Sequence, residues 1–218
     1  QSSTDNPDAA SCSQRYQHAT PACRVATATK SAPARRALAM TATIALLGTS
    51  ADPPTLGHQA LLEGLLDHFQ RVATWASDNP MKRHCAPLEN RKALLATLVK
   101  AIANPQLELV QELSSPWAIT TLKLANTRWP SNELVFVVGS DLAGQIPHWK
   151  DARAVLQLAR LAIAPRQGWP LQLQQLEALE CLGGRIELLP MQIPATSSSE
   201  VRSQPKPAQI PAALWPLV

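Results

Sequence analysis

Most of the chemistry in this 218-residue sequence is concentrated in one stretch, Gly48-Thr-Ser-Ala-Asp-Pro-Pro-Thr-Leu-Gly-His58. It follows the short apolar run Thr43–Leu47, which reads as a buried strand. Gly48 lets the backbone pass close to a ligand. Asp52, Pro53 and Pro54 break the chain into a loop, and an amphipathic helix begins at Gly57. A helix start presents unpaired N–H groups that suit an anion such as phosphate. Thr55 and His58 lie about one helical turn apart, so both are expected to face that anion. An isolated histidine would read as a cap or a solvated side chain, but the strand–loop–helix setting favours a working one.

The elements that must hold this stretch alternate in type. Strands are expected at Val72–Trp75, Leu107–Val110, Leu134–Val138, Leu161–Ala164 and Ile186–Leu189. Helices are expected from Gly57 through Phe69, at Leu88–Ala103, at Trp117–Arg128 and at Leu171–Leu182, the last closed by Gly183 and Gly184. This alternation predicts an α/β fold with a doubly wound, Rossmann-like parallel sheet, in one domain spanning residues 40–218. Ligands in such folds sit beyond the carboxyl ends of the strands. The polar stretches do follow strands: SDNPMKRH after the second, GSDL after the fourth and PRQG after the fifth.

Charge and cysteine usage narrow the function classes. The chain carries +4, of which residues 1–39 hold +3 and residues 40–218 only +1. The body therefore has no basic excess, which argues against a nucleic-acid surface. Residues 1–39 are rich in Ser, Thr and Ala with arginines, a composition shared with transit peptides. The plainer expectation is an unstructured extension, or a start site read upstream of Met40. No apolar run reaches the roughly 18 residues of a membrane span. Cys12, Cys23, Cys85 and Cys181 form no C-x-x-C pair, so neither a disulfide framework nor a zinc site is expected, and a cytoplasmic location fits.

Thr55-Leu56-Gly57-His58 resembles the [HT]-x-G-H signature of the nucleotidyltransferase superfamily. Ser197-Ser198-Ser199-Glu200-Val201-Arg202 resembles its second signature, S-S-T-x-x-R, with serine for threonine at 199. Between them lie SDNPMK (77–82), WAITTL (117–122), GSDL (139–142) with Trp149, and APRQG (164–168), in the order found in the bacterial nicotinate-nucleotide adenylyltransferase family. The resemblance covers about residues 43–202. It implies transfer of the adenylyl group of ATP to nicotinate mononucleotide, giving deamido-NAD and pyrophosphate by direct attack of the acceptor phosphate on the α-phosphorus. Such chemistry needs placement and charge neutralisation more than a dedicated base.

The resemblance also implies roles. His58, Thr55 and Arg202 would act on the reacting phosphates, with Gly48, Thr49, Ser50 and Gly57 close by. Ser198, Ser199 and Arg202 would grip the β- and γ-phosphates at a helix start. Gly139 and Asp141 would border the ATP ribose. Asn79, Lys82, Trp117, Trp149 and Arg166 would bind the acceptor, the tryptophans by stacking on its pyridine ring. Mg²⁺ is expected with ATP, held mostly by phosphate and water. A homo-oligomer is compatible with this reading.

Plainer readings stand beside these roles. Lys82 and Arg83 also read as a solvated pair, Trp117 as core, Arg91 as a surface residue and Asp52 as a loop cap. The chain departs from the family pattern where Trp117, Ala118 and Thr120 replace its tyrosine, threonine and aspartate. Met81 replaces a histidine, and Pro205, Pro207 and Pro211 predict a short C-terminal helix. Two alternatives remain: a relative with another phosphate acceptor, such as phosphopantetheine or glycerol phosphate, and a silent nucleotide-binding protein.

Overall fold

A computed structural model describes residues 42–79, 82–191, 193–194 and 196–218. The expectations for residues 1–39, for the start at Met40 and for the substitution at Met81 lie outside these residues. The strands are β1 (Thr43–Thr49), β2 (Arg71–Ala76), β3 (Leu107–Leu109), β4 (Glu133–Gly139), β5 (Arg160–Ala164) and β6 (Ile186–Leu188). The helices are α1 (Leu56–His68), α2 (Leu88–Ile102), α3 (Ala118–Arg128), α4 (Ala152–Leu158), α5 (Leu173–Cys181) and α6 (Ser198–Ser203). All six strands are parallel, in the order β3-β2-β1-β4-β5-β6. The order reverses between β1 and β4, and their carboxyl ends open the crevice where such sheets bind ligands.

Alternation along the strands explains the two layers. Ala45, Leu47, Val135 and Val137 point to one face, where Leu61, Leu62 and Leu65 of α1 and Leu95 and Leu98 of α2 cover them. Ile44, Leu46, Phe136 and Val138 point to the other, under Ile119 and Leu122 of α3, Val155 and Leu156 of α4 and Leu179 of α5. Both faces are buried, so the strands read as continuous apolar runs rather than as alternating ones. After β6 the chain returns to the first face, where Val201, Ile210 and Leu214 are buried.

The expected strands and helices all form, with ends displaced by one or two residues. Two further elements lie between β4 and β5: a 3-10 segment, Ser140–His148, and the short helix α4. Pro147 and seven residues of helix carry too little periodicity to announce either one. As expected, the prolines leave the last helix at six residues. No helix among the described residues is long and apolar enough to cross a membrane.

Gly48 requires a correction. It does not end the strand: β1 continues to Thr49, and Gly48 is paired with Trp75 of β2. A Cβ here would meet three Trp75 ring atoms at 2.8–2.9 Å. The missing side chain therefore makes room for an indole that is itself buried. Gly48→Ala should cost about 1–3 kcal/mol by overpacking and quench or shift the fluorescence of a displaced Trp75. An unchanged thermal midpoint and emission spectrum would show that the space is not needed.

Candidate active site

A single cleft of about 820 Å³ lies across the carboxyl ends of β1, β2, β4 and β5. Every residue singled out from the sequence borders it: Gly48, Thr49, Ser50, Thr55, Gly57, His58, Asn79, Lys82, Trp117, Gly139, Asp141, Trp149, Arg166, Ser198, Ser199 and Arg202. Positions up to 154 apart in sequence are thus brought together by the reversal in strand order.

At the start of α1, the backbone N–H of Thr55 donates to Nδ1 of His58 at 3.0 Å. An amide N–H can only donate, so Nδ1 must accept and the proton of the neutral ring sits on Nε2. The Thr55 hydroxyl lies 2.8 Å from the same Nδ1 and 3.3 Å from the carbonyl of Thr196. Thr55 is fully buried. The Thr55 side chain therefore orients His58 at the lining of the cleft. Gly57 has its own tight neighbour, since a Cβ there would lie 3.1 Å from the Pro194 carbonyl.

Burial holds the His58 pKa down at about 4, with the positive charges of Arg166 and Lys82 adding to the effect. The ring is therefore neutral near pH 7 and offers one N–H donor. The unfolded chain takes up this proton below the ordinary value of 6.5, the folded chain only below about 4. Between those values the unfolded state binds more protons, so stability falls as the pH drops through that window. The stabilisation is fully present above 6.5. The loss should be about 2 kcal/mol by pH 4.5. Urea titrations of the wild type and His58→Gln at pH 7.5 and 4.5 test it. The variant should lose less stability on acidification, and equal losses would contradict the assignment.

The loop before α1 is fixed by two side chains that the sequence undersold. Arg91 is 1% exposed, where a surface residue was expected. Its Nη1 donates to the carbonyls of Ser50 and Ser77, each at 2.8 Å, and its Nε donates to Ala86 at 3.1 Å. One guanidinium thereby binds the loops after β1 and β2 together. Asp52 is buried too, and its carboxylate accepts from the N–H groups of Cys85 at 2.8 Å and Ala86 at 3.2 Å. It also pairs with Nη1 of Arg202 at 3.4 Å.

The C-terminal signature is stapled to the same loop. Arg202 donates to the Asp52 carbonyl and, at 3.0 Å, to the Ser199 hydroxyl. Ser198 donates to the Pro53 carbonyl at 2.9 Å, and Ser197 caps α6 by accepting from Glu200 N–H. Arg202 and the Ser198 hydroxyl are engaged with the β1–α1 loop, and what they secure is the junction of α6 with it.

Across the cleft, Gly139 and Asp141 follow β4. A Cβ on Gly139 would fall 2.3 Å from the Asp141 carboxylate, which pairs with Arg166 at 3.2 Å. Arg166 also depresses the pKa of His58, as Lys82 does from the β2 loop. Both cations line the same cleft as His58 and are near enough to act on it. Ser140 was not anticipated: its hydroxyl donates to the Trp169 carbonyl at 2.8 Å and accepts from Arg166 N–H at 3.0 Å, tying the β4 loop to the β5 loop. His84 was missed as well. It borders the cleft with a buried Nε2 that has no hydrogen-bond partner, and burial lowers its pKa. Its only sequence signal was its place two residues after Lys82.

The other end of the cleft is aromatic. Trp149 meets Phe136 edge to face, with ring centroids 6.2 Å apart and planes at 86°. Trp117 stands at the head of α3 and is 46% exposed, so it is not core. The cleft thus pairs a cationic, donor-rich end with a flat apolar one, a layout that suits a phosphorylated aromatic ligand.

The model of the cytidylyltransferase-like family matches residues 46–204. A protein of Synechocystis sp. named as a probable nicotinate-nucleotide adenylyltransferase is 38% identical over 156 residues, covering 67% of this chain and 78% of that one. A protein of Gemmatimonas aurantiaca with the same name is 28% identical over 170 residues, covering 74% and 80%. Among solved structures, Plasmodium falciparum nicotinic acid mononucleotide adenylyltransferase complexed with NaAD is similar with a TM-score of 0.62 at 19% identity, covering 74% of this chain and 83% of that one.

Proposed function

This chain belongs to the cytidylyltransferase-like family, and from that premise we propose that it transfers the adenylyl group of ATP to nicotinate mononucleotide in the synthesis of NAD. An oxygen of the acceptor phosphate attacks the α-phosphorus. The new P–O bond forms as the α–β bridging bond breaks, and pyrophosphate carries away the electron pair. The products are deamido-NAD and pyrophosphate.

His58, Lys82 and Arg166 on the lining of one cleft support this reading. A phosphate oxygen needs no base to become a nucleophile, so the protein's task is to hold two anions together and to stabilise charge on the transferring group. The Nε2–H of His58 is a fixed donor for that charge, set before substrate arrives. Lys82, which has no carboxylate partner among the described residues, and Arg166 supply positive potential on either side. Asp141 and Gly139 are the proposed neighbours of the ATP ribose, whose hydroxyls are donors for the carboxylate. Trp117 and Trp149 are the proposed seat of the pyridine ring, beside Asn79 of the β2 loop.

The carboxylates of the cleft are engaged, Asp52 with Arg202 and Asp141 with Arg166. Its other donors are hydroxyls, N–H groups and cations, a set that fits phosphate oxygens. Mg²⁺ would accordingly be held by the phosphates of ATP and by water, and it supplies neutralisation of the triphosphate charge. The free thiols of Cys85 and Cys181 suit a reducing compartment, and the cytoplasm is the proposed location.

Pyrophosphate release tests this function with ATP and a panel of acceptors: nicotinate mononucleotide, nicotinamide mononucleotide, phosphopantetheine and glycerol phosphate. Release is expected with nicotinate mononucleotide above all. Silence with both pyridine mononucleotides, or faster release with another acceptor, would overturn it.

A further inference from the structure

Lys150 follows Trp149, and its Nζ lies 5.1 Å from the centroid of the Trp117 ring. It borders the cleft at the aromatic end and makes no ion pair among the described residues. An ammonium over an exposed indole is a weak contact, easily exchanged. What it shows is that this face of Trp117 attracts cations.

The ring of a pyridine mononucleotide is itself a cation, because its nitrogen bears the ribose. Resting on the Trp117 face, it would take the place the ammonium holds and push Lys150 to the ring edge. The two acceptors differ at that edge. Nicotinate mononucleotide carries a carboxylate there, a charge-assisted acceptor for the displaced ammonium. Nicotinamide mononucleotide carries a neutral amide, which leaves two positive charges side by side without compensation. One residue would attract the acid and repel the amide, and a difference made in both directions is an efficient source of specificity.

We propose that Lys150, displaced from the face of Trp117, reads the acceptor's carboxylate and sets the preference for nicotinate over nicotinamide mononucleotide. The proposal rests on the adenylyltransferase reading above and deepens it. Lys150 is exposed, and exchange for the similarly long methionine leaves no buried group unpaired.

The test is the ratio of kcat/KM for the two mononucleotides, measured for the wild type, Lys150→Met and Lys150→Arg. In Lys150→Met the acid-to-amide ratio should fall about tenfold or more, chiefly through a higher KM for nicotinate mononucleotide. Lys150→Arg keeps the charge and should keep most of the ratio. A ratio that moves less than threefold in Lys150→Met, in an enzyme that does use nicotinate mononucleotide, would overturn the role of Lys150 alone. A wild type that uses neither mononucleotide would instead overturn the reading on which the proposal rests.

Discussion

His58→Ala should lower kcat at least about 100-fold, the usual cost of removing a fixed donor to a transition state, and leave the fold intact. The expectation rests on the hydrogen bonds around the ring. The Thr55 N–H commits Nδ1 as an acceptor, which leaves Nε2–H as the working donor. The ring is neutral because burial and the charges of Arg166 and Lys82 hold its pKa at about 4. Before substrate binds, it is therefore set to donate a hydrogen bond and carries no charge near pH 7. His58→Gln, which keeps an N–H donor on a shorter reach, should retain more turnover than His58→Ala. Steady-state kinetics at saturating substrates, with circular dichroism of each variant, measures both points. An alanine variant with more than a tenth of wild-type turnover would remove His58 from the chemistry.

Arg91→Met should be the most destabilising of the substitutions considered. It strips partners from the carbonyls of Ser50, Ser77 and Ala86 in one step. Each part-buried acceptor left without a donor costs about 1 kcal/mol, so a total of about 3 kcal/mol is expected. In a domain of this size that lowers Tm by roughly 6–12 °C. The loop bearing Thr49 and Ser50 would lose its tie to the β2 loop, so the KM for ATP should rise as well. Arg91→Lys keeps the charge but cannot span three carbonyls, and it should recover little of the loss. Calorimetry decides: a fall in Tm under 2 °C would mean that the loops hold their shape without Arg91.

Arg91 also shows where reading the sequence stops. It sits among Glu89, Asn90 and Lys92 near the start of α2, where a charged residue looks solvated. Its burial depends on two loops from other strands folding over it, which no local pattern encodes. Asp52 is a similar case, because its partners at Cys85, Ala86 and Arg202 lie 33, 34 and 150 residues away. His58 was legible for the opposite reason: strand, loop, Gly57 and histidine are contiguous, and each local preference points to the same use. The sheet was legible too, because buried parallel strands form plain apolar runs. Helix α4 was not, since a helix of seven residues after an irregular stretch shows hardly two turns of pattern. Many residues that touch the cleft were thus readable from short motifs, while His84 at its border and the side chains that hold the motifs in place appeared only in three dimensions.

On the proposed mechanism, this cleft joins an adenylyl group to nicotinate mononucleotide without a covalent intermediate on the protein. Mass spectrometry of the products from ATP, Mg²⁺ and nicotinate mononucleotide tests it most directly. Deamido-NAD and pyrophosphate are expected in equal amounts, with no AMP released and no adenylylated protein when the acceptor is withheld. Free AMP in place of the dinucleotide, or a chain carrying a covalent adenylyl group, would contradict it.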